Sequence, residues 1–473
     1  MNAQVITLCE AVRAAGGRAM LVGGSVRDHL LKIDSKDFDI EVYGLEPELL
    51  RKVLEQIGPL NAVGENFSVY KLVFKRQAFN TDQSRMGRAQ RNASGGRFEI
   101  DVSLPRRESK SGRGHRGFVI QGDPDMSFEE AARRRDFTIN AILFDPLTGE
   151  KIDPFGGERD LSQRILRVVS PDTFVEDSLR VLRAVQLVAR FEMKIDPATI
   201  QLCQSIDLSD LPHERVWGEL EKLLTLAKRP SVGLEAALEL LVLKKLFPEF
   251  LTLVDPSQRT ARDSVEDRFA HTKRAMDEAI SITAGLSQPK RIAVMLAVLC
   301  HDLERTGRTT ATDTVLNKKR DPDLTRSVLD RLGLFTIGGY DVRSQVFSLL
   351  RENQKPQEFN LRRESSTDGD IRRLAQRVEI DLLYRVEKAW ALGSGASTAA
   401  ADWLLERATG LGVQNDPPAP LLLGRHLLEV GMEPGPKIGE LLRGVYELQL
   451  DGKITTKEEA LAAAGRINDR GQA

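Results

Sequence analysis

Cysteine is scarce. Cys9, Cys203 and Cys300 are the three in 473 residues, and no two of them form a CxxC pair. That argues against a disulfide framework or a zinc knuckle and fits a reducing compartment, so a cytoplasmic location is expected. Long hydrophobic runs are missing too: none approaches the ~20 residues that a membrane-spanning helix requires, and no membrane partner is expected. The stretch 1–12 reads as an amphipathic helix through Val5, Ile6, Leu8, Cys9 and Val12, without the basic and apolar regions of a signal peptide. Net charge is also lacking. Lys and Arg number 68 against 69 Asp and Glu, so any surface for a polyanion must be a local patch. Histidines are few (His29, His115, His213, His271, His301 and His426), which leaves little material for a multi-histidine metal centre.

What is present is concentrated near the N-terminus. In Asp37-Phe38-Asp39-Ile40-Glu41-Val42 the residues alternate. In an extended strand this turns Phe38, Ile40 and Val42 into a core and lines up Asp37, Asp39 and Glu41 on the opposite face. So acidic a face is costly unless a cation relieves it. Just upstream, Gly23-Gly24 ends an apolar strand (19–22) and opens a short helical stretch carrying Arg27 one turn in. Backbone N–H groups at a helix start, with an arginine beside them, suit a phosphate. Together these elements point to nucleotidyl transfer. Residues 97–103 repeat the alternation, with Glu99 and Asp101 on the polar face. Paired beside the first strand, they offer a third carboxylate. Register decides between them, and Asp101 is preferred because it lies deeper in the strand. Such a cluster could hold two Mg²⁺ ions that activate a 3′-hydroxyl and neutralise a leaving pyrophosphate.

Two further motifs follow. Arg133-Arg134-Arg135-Asp136 places three arginines in succession, which repel one another unless an anion is present. Asp136 could accept from a ribose hydroxyl or fix Arg135. In Glu176-Asp177-Ser178-Leu179-Arg180, Asp177 and Arg180 are expected three apart on one helix and so neighbours on its surface. Such a pair is either an ordinary ion pair or a base reader. As a reader, the carboxylate accepts from the exocyclic amine of cytosine or adenine while the guanidinium donates to the ring nitrogen. Uracil and guanine present the reverse pattern.

Read together, the segments LVGGSVRDHLL with KDFDIEV (21–42), RRDFTINA (134–141), DPFGG…DL (153–161) and EDSLRVLRA (176–184) resemble the class II tRNA nucleotidyltransferase and bacterial poly(A) polymerase family. The likeness extends more loosely through 105–118, 403–408 and 423–442. It implies an α+β, polymerase β-like nucleotidyltransferase head followed by an all-helical neck, body and tail. The boundaries expected are a head at 1–165, a neck at 166–228, a body at 229–365 and a tail at 366–473. By the same resemblance Asp37 and Asp39 are metal ligands, with Asp101 a general base or third ligand. Gly23, Gly24, Arg27, Arg135, Asp136 and Arg183 would contact the nucleotide, and Asp177 with Arg180 would choose between CTP and ATP and the rest.

The activity implied is addition of C and A to the tRNA acceptor end without a nucleic-acid template, using two Mg²⁺ ions. The alternatives are a poly(A) polymerase, a CC-only or A-only enzyme, or an RNA-binding protein with an inactive head. Arg88, Arg91, Arg106, Arg107, Lys110 and Arg113 are candidate RNA contacts. The polar, basic stretch 75–96 reads as a loop that is either an RNA-contacting arm or a solvated insertion. Gln186 departs from the family pattern, which often has another arginine there. A second, partial resemblance is to the HD phosphohydrolases, through His271, His301 and Asp302. Glu304 and Asn353 count against that activity, and a helical fold that has lost it is expected.

Overall fold

The alternating acidic segment does fold as a strand. It lies in a computed structural model that describes residues 2–34, 37–62, 69–75, 97–110, 118–254, 268–303 and 323–470. The chain divides into two units, Met1–Leu211 and Pro212–Ala473.

The first unit is built on β1 (Arg18–Val22), β2 (Asp37–Tyr43), β3 (Leu60–Ala62), β4 (Val69–Lys75) and β5 (Arg97–Ser103). A hairpin, β6 (Arg106–Lys110) and β7 (Phe118–Gly122), follows, then the short strands β8 (Leu143–Phe144) and β9 (Lys151–Ile152). Seven of these form one sheet in the order β3-β4-β5-β2-β1-β8-β9, with β2 and β5 parallel and the other pairs antiparallel. Helices α1 (Ala3–Ala14) and α3 (Pro47–Ile57) cover one face, and α2 (Gly24–Leu30) leads out of β1. Val5, Leu8 and Val12 of α1 and Leu50 and Leu54 of α3 pack on Ile40, Val42, Leu72, Ile100 and Val102. Only one side of each strand can contribute to that layer. β1 is buried on both sides: Ala19 and Leu21 join this core, while Met20 and Val22 join a second one with Tyr43, Ala131 and Ala132.

The unit continues through α4 (Phe128–Arg133), a 3₁₀ turn (Thr138–Asn140), α5 (Gly157–Gln163), β10 (Ile165–Leu166), α6 (Pro171–Phe174), α7 (Leu179–Phe191), β11 (Lys194–Ile195) and α8 (Pro197–Ser205). The Asp153–Gly157 segment caps α5, because Asp153 accepts from the backbone N–H groups of Gly157 (2.7 Å) and Glu158 (2.9 Å). Gly157 is there for space: a Cβ would lie 2.1 Å from the Thr138 carbonyl oxygen.

Among the described residues the second unit is helical apart from one short hairpin, Thr336–Ile337 with Tyr340–Asp341. Helix Gln288–Cys300 is buried from Ile292 to Cys300 without a break, so it runs through the middle of its neighbours. Helices Arg268–Ile282 and Ile380–Ser394 touch where Gly393 meets the Ala275 backbone. The α+β head and the helical remainder agree with the fold class expected from the sequence. Helical periodicity in the sequence predicts single helices over 174–191, 231–246 and 370–392, and each is divided. The first divides between Phe174 and Leu179, the second breaks at Leu241, whose φ is +61°, and the third divides between Ala375 and Ile380. Apolar periodicity continues across short turns that leave both helices on one core, and cannot mark them.

Gly157→Ala is expected to cost about 2–3 kcal/mol in a denaturant titration, because a backbone carbonyl must move. Gly218→Ala, where no atom lies within 4 Å of the new Cβ, is expected to be neutral or stabilising by up to about 1 kcal/mol. Equal effects at the two positions would show that the close approach at Gly157 is not limiting.

Candidate active site

Parallel pairing of β2 with β5 sets Asp37 opposite Glu99 and Asp39 opposite Asp101. The antiparallel neighbours extend this row, with Lys71 of β4 opposite Asp101 and Val22 of β1 opposite Asp39. The register thus brings Asp101, rather than Glu99, beside Asp39. Glu99 is drawn the other way, its Oε2 2.7 Å from Lys71 Nζ; Asp101 Oδ1 lies 3.6 Å from the same ammonium. That Asp101 oxygen is buried and accepts no hydrogen bond among the described residues. Burial pushes the Asp39 carboxyl above the usual range; Arg135 and Arg183 pull it down, while Asp101 and Asp37 push it further up.

Two glycines leave room beside charged side chains, Gly23 next to Asp39 and Gly24 next to Arg27. Gly23 has φ +68°, and a Cβ there would meet Arg135 Nη1 at 3.4 Å and Asp39 Oδ2 at 3.5 Å. One at Gly24 would meet Arg27 Nη2 at 3.2 Å. With only seven residues in α2, its dipole is a weaker attraction for an anion than these arginines. Arg27 is itself buried: Nε and Nη2 donate to Asp28 Oδ1 (2.9 and 2.7 Å), and Nη1 donates to Asn140 Oδ1 (2.8 Å). Its guanidinium also lies over Phe191. Arg190 reaches the other Asp28 oxygen at 3.2 Å.

The three arginines find their anions inside the fold. Arg133 pairs with Glu129, while Arg134 and Arg135 both reach Glu41, at 3.4 and 3.2 Å. Glu41 is 2% exposed and also accepts from the Tyr43 hydroxyl. Burial would raise this carboxyl, but Arg135 and Arg134 outweigh that and hold it below the ordinary range. Asp136 does not fix Arg135 but takes Arg183 Nε at 3.1 Å, the Phe137 N–H and the Asn140 amide. The strand face therefore divides: Asp37 and Asp39 keep access to solvent, although their neighbours partly desolvate the Asp39 carboxyl, and Glu41 becomes an internal clamp.

Asp177 and Arg180 do not share a helix. The helix begins at Leu179, and Asp177 lies in the turn before it, accepting from the Leu179 N–H (3.2 Å). Arg180 donates to the carbonyls of Thr173 (2.7 Å) and Arg134 (2.6 Å). These bonds fix the guanidinium in place. Gln186 is buried, and its Oε1 accepts no hydrogen bond among the described residues. Arg106, Arg107 and Lys110 fall on β6; Arg88, Arg91 and Arg113, with most of the basic stretch 75–96, lie outside the described residues. Lys71, Asp28, Asn140 and the clamp role of Glu41 were not read from the sequence. A signal for Lys71 exists: in Val69–Lys75 it is the polar-face residue between inward Tyr70 and Leu72.

The HD-like residues meet in the second unit. His271 Nδ1 is 3.4 Å from Asp302 Oδ2, and Nε2 lies 3.1 Å from the Trp390 carbonyl. His301 is packed on the Trp390 ring, with Nε2 3.1 Å from the Asn353 amide and 3.8 Å from Glu387. Glu304 lies outside the described residues. Here and in the head, no group of three or more His, Cys, Asp or Glu among the described residues is arranged to hold a metal ion.

Two family models match this chain. Residues 19–167 match the poly A polymerase head domain, and 192–253 match a probable RNA and SrmB-binding site of polymerase A. The resemblance carried by the sequence motifs is borne out. A multifunctional CCA protein of Stenotrophomonas maltophilia is 37% identical over 290 residues, covering 60% of this chain and 63% of that protein. One from Actinobacillus pleuropneumoniae is 35% identical over 291 residues, covering 60% and 62%. The chain thus spans less than two thirds of the length of these relatives. Among solved structures, a CCA-adding enzyme with CTP superposes with a TM-score of 0.63 at 22% identity, over 98% of this chain and 95% of that one. The Thermotoga maritima CCA-adding enzyme complexed with tRNA gives 0.59 at 21% identity, over 98% and 95%. At such identities the likeness is one of fold. No described helix is long and apolar enough to cross a membrane.

Opposite pH signatures are expected from two buried acids. Burial alone would raise Asp136, but Arg183, Asn140 and the Phe137 N–H hold it below the ordinary range. Its stabilisation is present above the unfolded-state value and is lost as pH falls through the folded one. Asp136→Asn should cost about 2 kcal/mol at pH 7, since it replaces charge-assisted bonds to Arg183, the Phe137 N–H and Asn140 by neutral ones, and the gap to wild type should narrow in acid. Burial pushes Glu387 up to about 8, so stability falls as pH rises from the ordinary glutamate range to about 8. Glu387→Gln should melt above wild type at pH 9 and close to it at pH 5. Melting curves across pH check both, and parallel profiles for variant and parent would refute them.

Proposed function

We propose that this chain is a tRNA 3′-end nucleotidyltransferase that adds C and A from CTP and ATP without a nucleic-acid template. One observation carries the reading: Asp39 and Asp101 stand side by side on paired strands, with Gly23 and Arg135 next to Asp39. An α-phosphate would lie between these carboxylates and Arg135.

The donor set fits Mg²⁺. It consists of carboxylate oxygens, which a small hard cation prefers. Mutual repulsion at Asp39 and the unbonded Asp101 oxygen are both relieved by a cation. Asp37 and Asp39 are its proposed ligands. When bound, two Mg²⁺ ions supply Lewis acidity and neutralise the charge that develops on the leaving pyrophosphate.

The chain's own residues do the rest. Arg135 and Arg183 attract and orient the triphosphate beside Gly23 and Gly24, and buried Arg27 supports that turn from behind. Asp101 accepts the proton of the RNA 3′-hydroxyl as that oxygen attacks the α-phosphorus in line. The new P–O bond forms as the bond to the β-phosphate oxygen breaks. Asp177 and Arg180 select the base, and Arg180 suits this because its backbone bonds hold it still. The acceptor end of tRNA would be held mostly through phosphate and shape, which carry little sequence information. Arg106 and Arg107 are candidate contacts.

The test is incorporation of single labelled nucleotides into tRNA transcripts ending before CCA, after C and after CC. CTP should enter the first two and ATP only the third, stopping after one A. Asp37→Ala with Asp39→Ala should lower the rate by at least about 10³-fold, the scale of a lost metal contribution. Asp177→Ala should admit UTP, weakening discrimination by about tenfold or more. Long A tails would instead indicate a poly(A) polymerase, and use of a single nucleotide a partial enzyme. Equal activity in wild type and the double variant would refute a catalytic head.

A further inference from the structure

We propose that Lys71 is a built-in counter-ion of the third carboxylate, competing with a divalent cation for Asp101 and Glu99. The inference rests on the reading above, that Asp37 and Asp39 hold a cation next to Asp101.

Three observations carry it. Strand register fixes the Lys71 backbone directly opposite Asp101, which is itself opposite Asp39, so the three side chains share one face in one row. The ammonium lies 2.7 Å from Glu99 and 3.6 Å from Asp101. And although Asp37, Asp39, Glu99 and Asp101 occupy neighbouring positions on two paired strands, no three of them converge as a metal group among the described residues. Lysine accounts for that last fact. Its charge draws Glu99 away from Asp37 and offers Asp101 a partner on the side remote from Asp39.

The same charge has a cost for the metal. A divalent ion between Asp39 and Asp101 would sit within several ångströms of a fixed positive charge and be repelled by it. A lysine is suited to this part, because its compact ammonium rides on a flexible stem and can swing aside while the backbone stays in register. Without a metal, Lys71 limits self-repulsion of the acidic face. With one, it yields Asp101. The proposed role is positional: Lys71 acts through the carboxylates and touches neither substrate nor the reacting atoms.

The experiment is a Mn²⁺ titration of the full chain without nucleotide, read by the electron paramagnetic resonance signal of free Mn²⁺. Lys71→Met is expected to tighten Mn²⁺ binding about tenfold, the scale of removing one charge from near a divalent ion at a partly solvated site. Lys71→Arg, which keeps the charge, should stay near wild type. If Lys71 merely staples β4 to β5, Lys71→Met lowers the melting temperature and leaves Mn²⁺ affinity unchanged, which overturns the inference. Weaker binding in Lys71→Met overturns it as well. The Asp37→Ala, Asp39→Ala variant separates this failure from that of the parent reading. Loss of Mn²⁺ binding there, with no response at Lys71, leaves the metal assignment standing and removes only the role of Lys71. Wild type that binds no Mn²⁺, or binding that survives in the double variant, removes both.

Discussion

The parallel pairing of β2 with β5 is the constraint on which the head depends. A one-residue slip would turn Ile40 and Ile100 out of the core and Asp39 and Asp101 into it. Burial of the apolar face therefore fixes the position of the acidic one, and an unpaired carboxylate inside the core would cost several kcal/mol. Core packing and site geometry are one choice here.

Compensation of charge follows from that choice. Each carboxylate on the polar face of β2 meets a different environment. Glu41, deepest, has two arginines and a tyrosine; Asp39, further out, has arginines on one side and carboxylates on the other. The buried pairs contribute little net stability, because desolvation offsets most of their attraction. They contribute position. Arg27 is tied to Asp28 and Asn140, Asn140 to Asp136, and Asp136 to Arg183. Through these bonds the helix after the Gly-Gly turn, the 3₁₀ turn and α7 hold one another. The turn in the middle is itself pinned by contact with Gly157.

Much of this was legible in the sequence, for identifiable reasons. The alternation in 37–43 and 97–103 has the period of a strand, so the faces of Asp39 and Asp101 could be read directly. Residue order also showed which segments carry arginine next to aspartate. Pairings between distant segments were not legible. Nothing local distinguishes Glu41 from Asp39, yet one is a structural clamp and the other keeps access to solvent. For Asp136 the sequence offered a ribose hydroxyl or the adjacent Arg135, whereas its arginine partner in the fold is Arg183, 47 positions on. Asp177 and Arg180 were spaced for a helix, but an Asx-type bond to Leu179 starts the helix two residues later. Lys71 was missed because a lysine on the outer face of a strand is ordinary until its neighbour across the sheet is known.

Arg180 shows why such a site is built on backbone bonds. Its guanidinium is held by the carbonyls of Thr173 and Arg134, and the side chain of that same Arg134 is held by Glu41. The proposed base-reading group and the proposed phosphate-facing arginine segment are therefore joined through one peptide unit. Movement of one changes the donor geometry of the other. A flexible arginine would donate to any carbonyl it could reach and so distinguish bases poorly, whereas one that is already immobilised can be satisfied only by an acceptor in the right place. The proposed discrimination between bases by two side chains would depend on this, because the fold has restricted one of them before any nucleotide arrives.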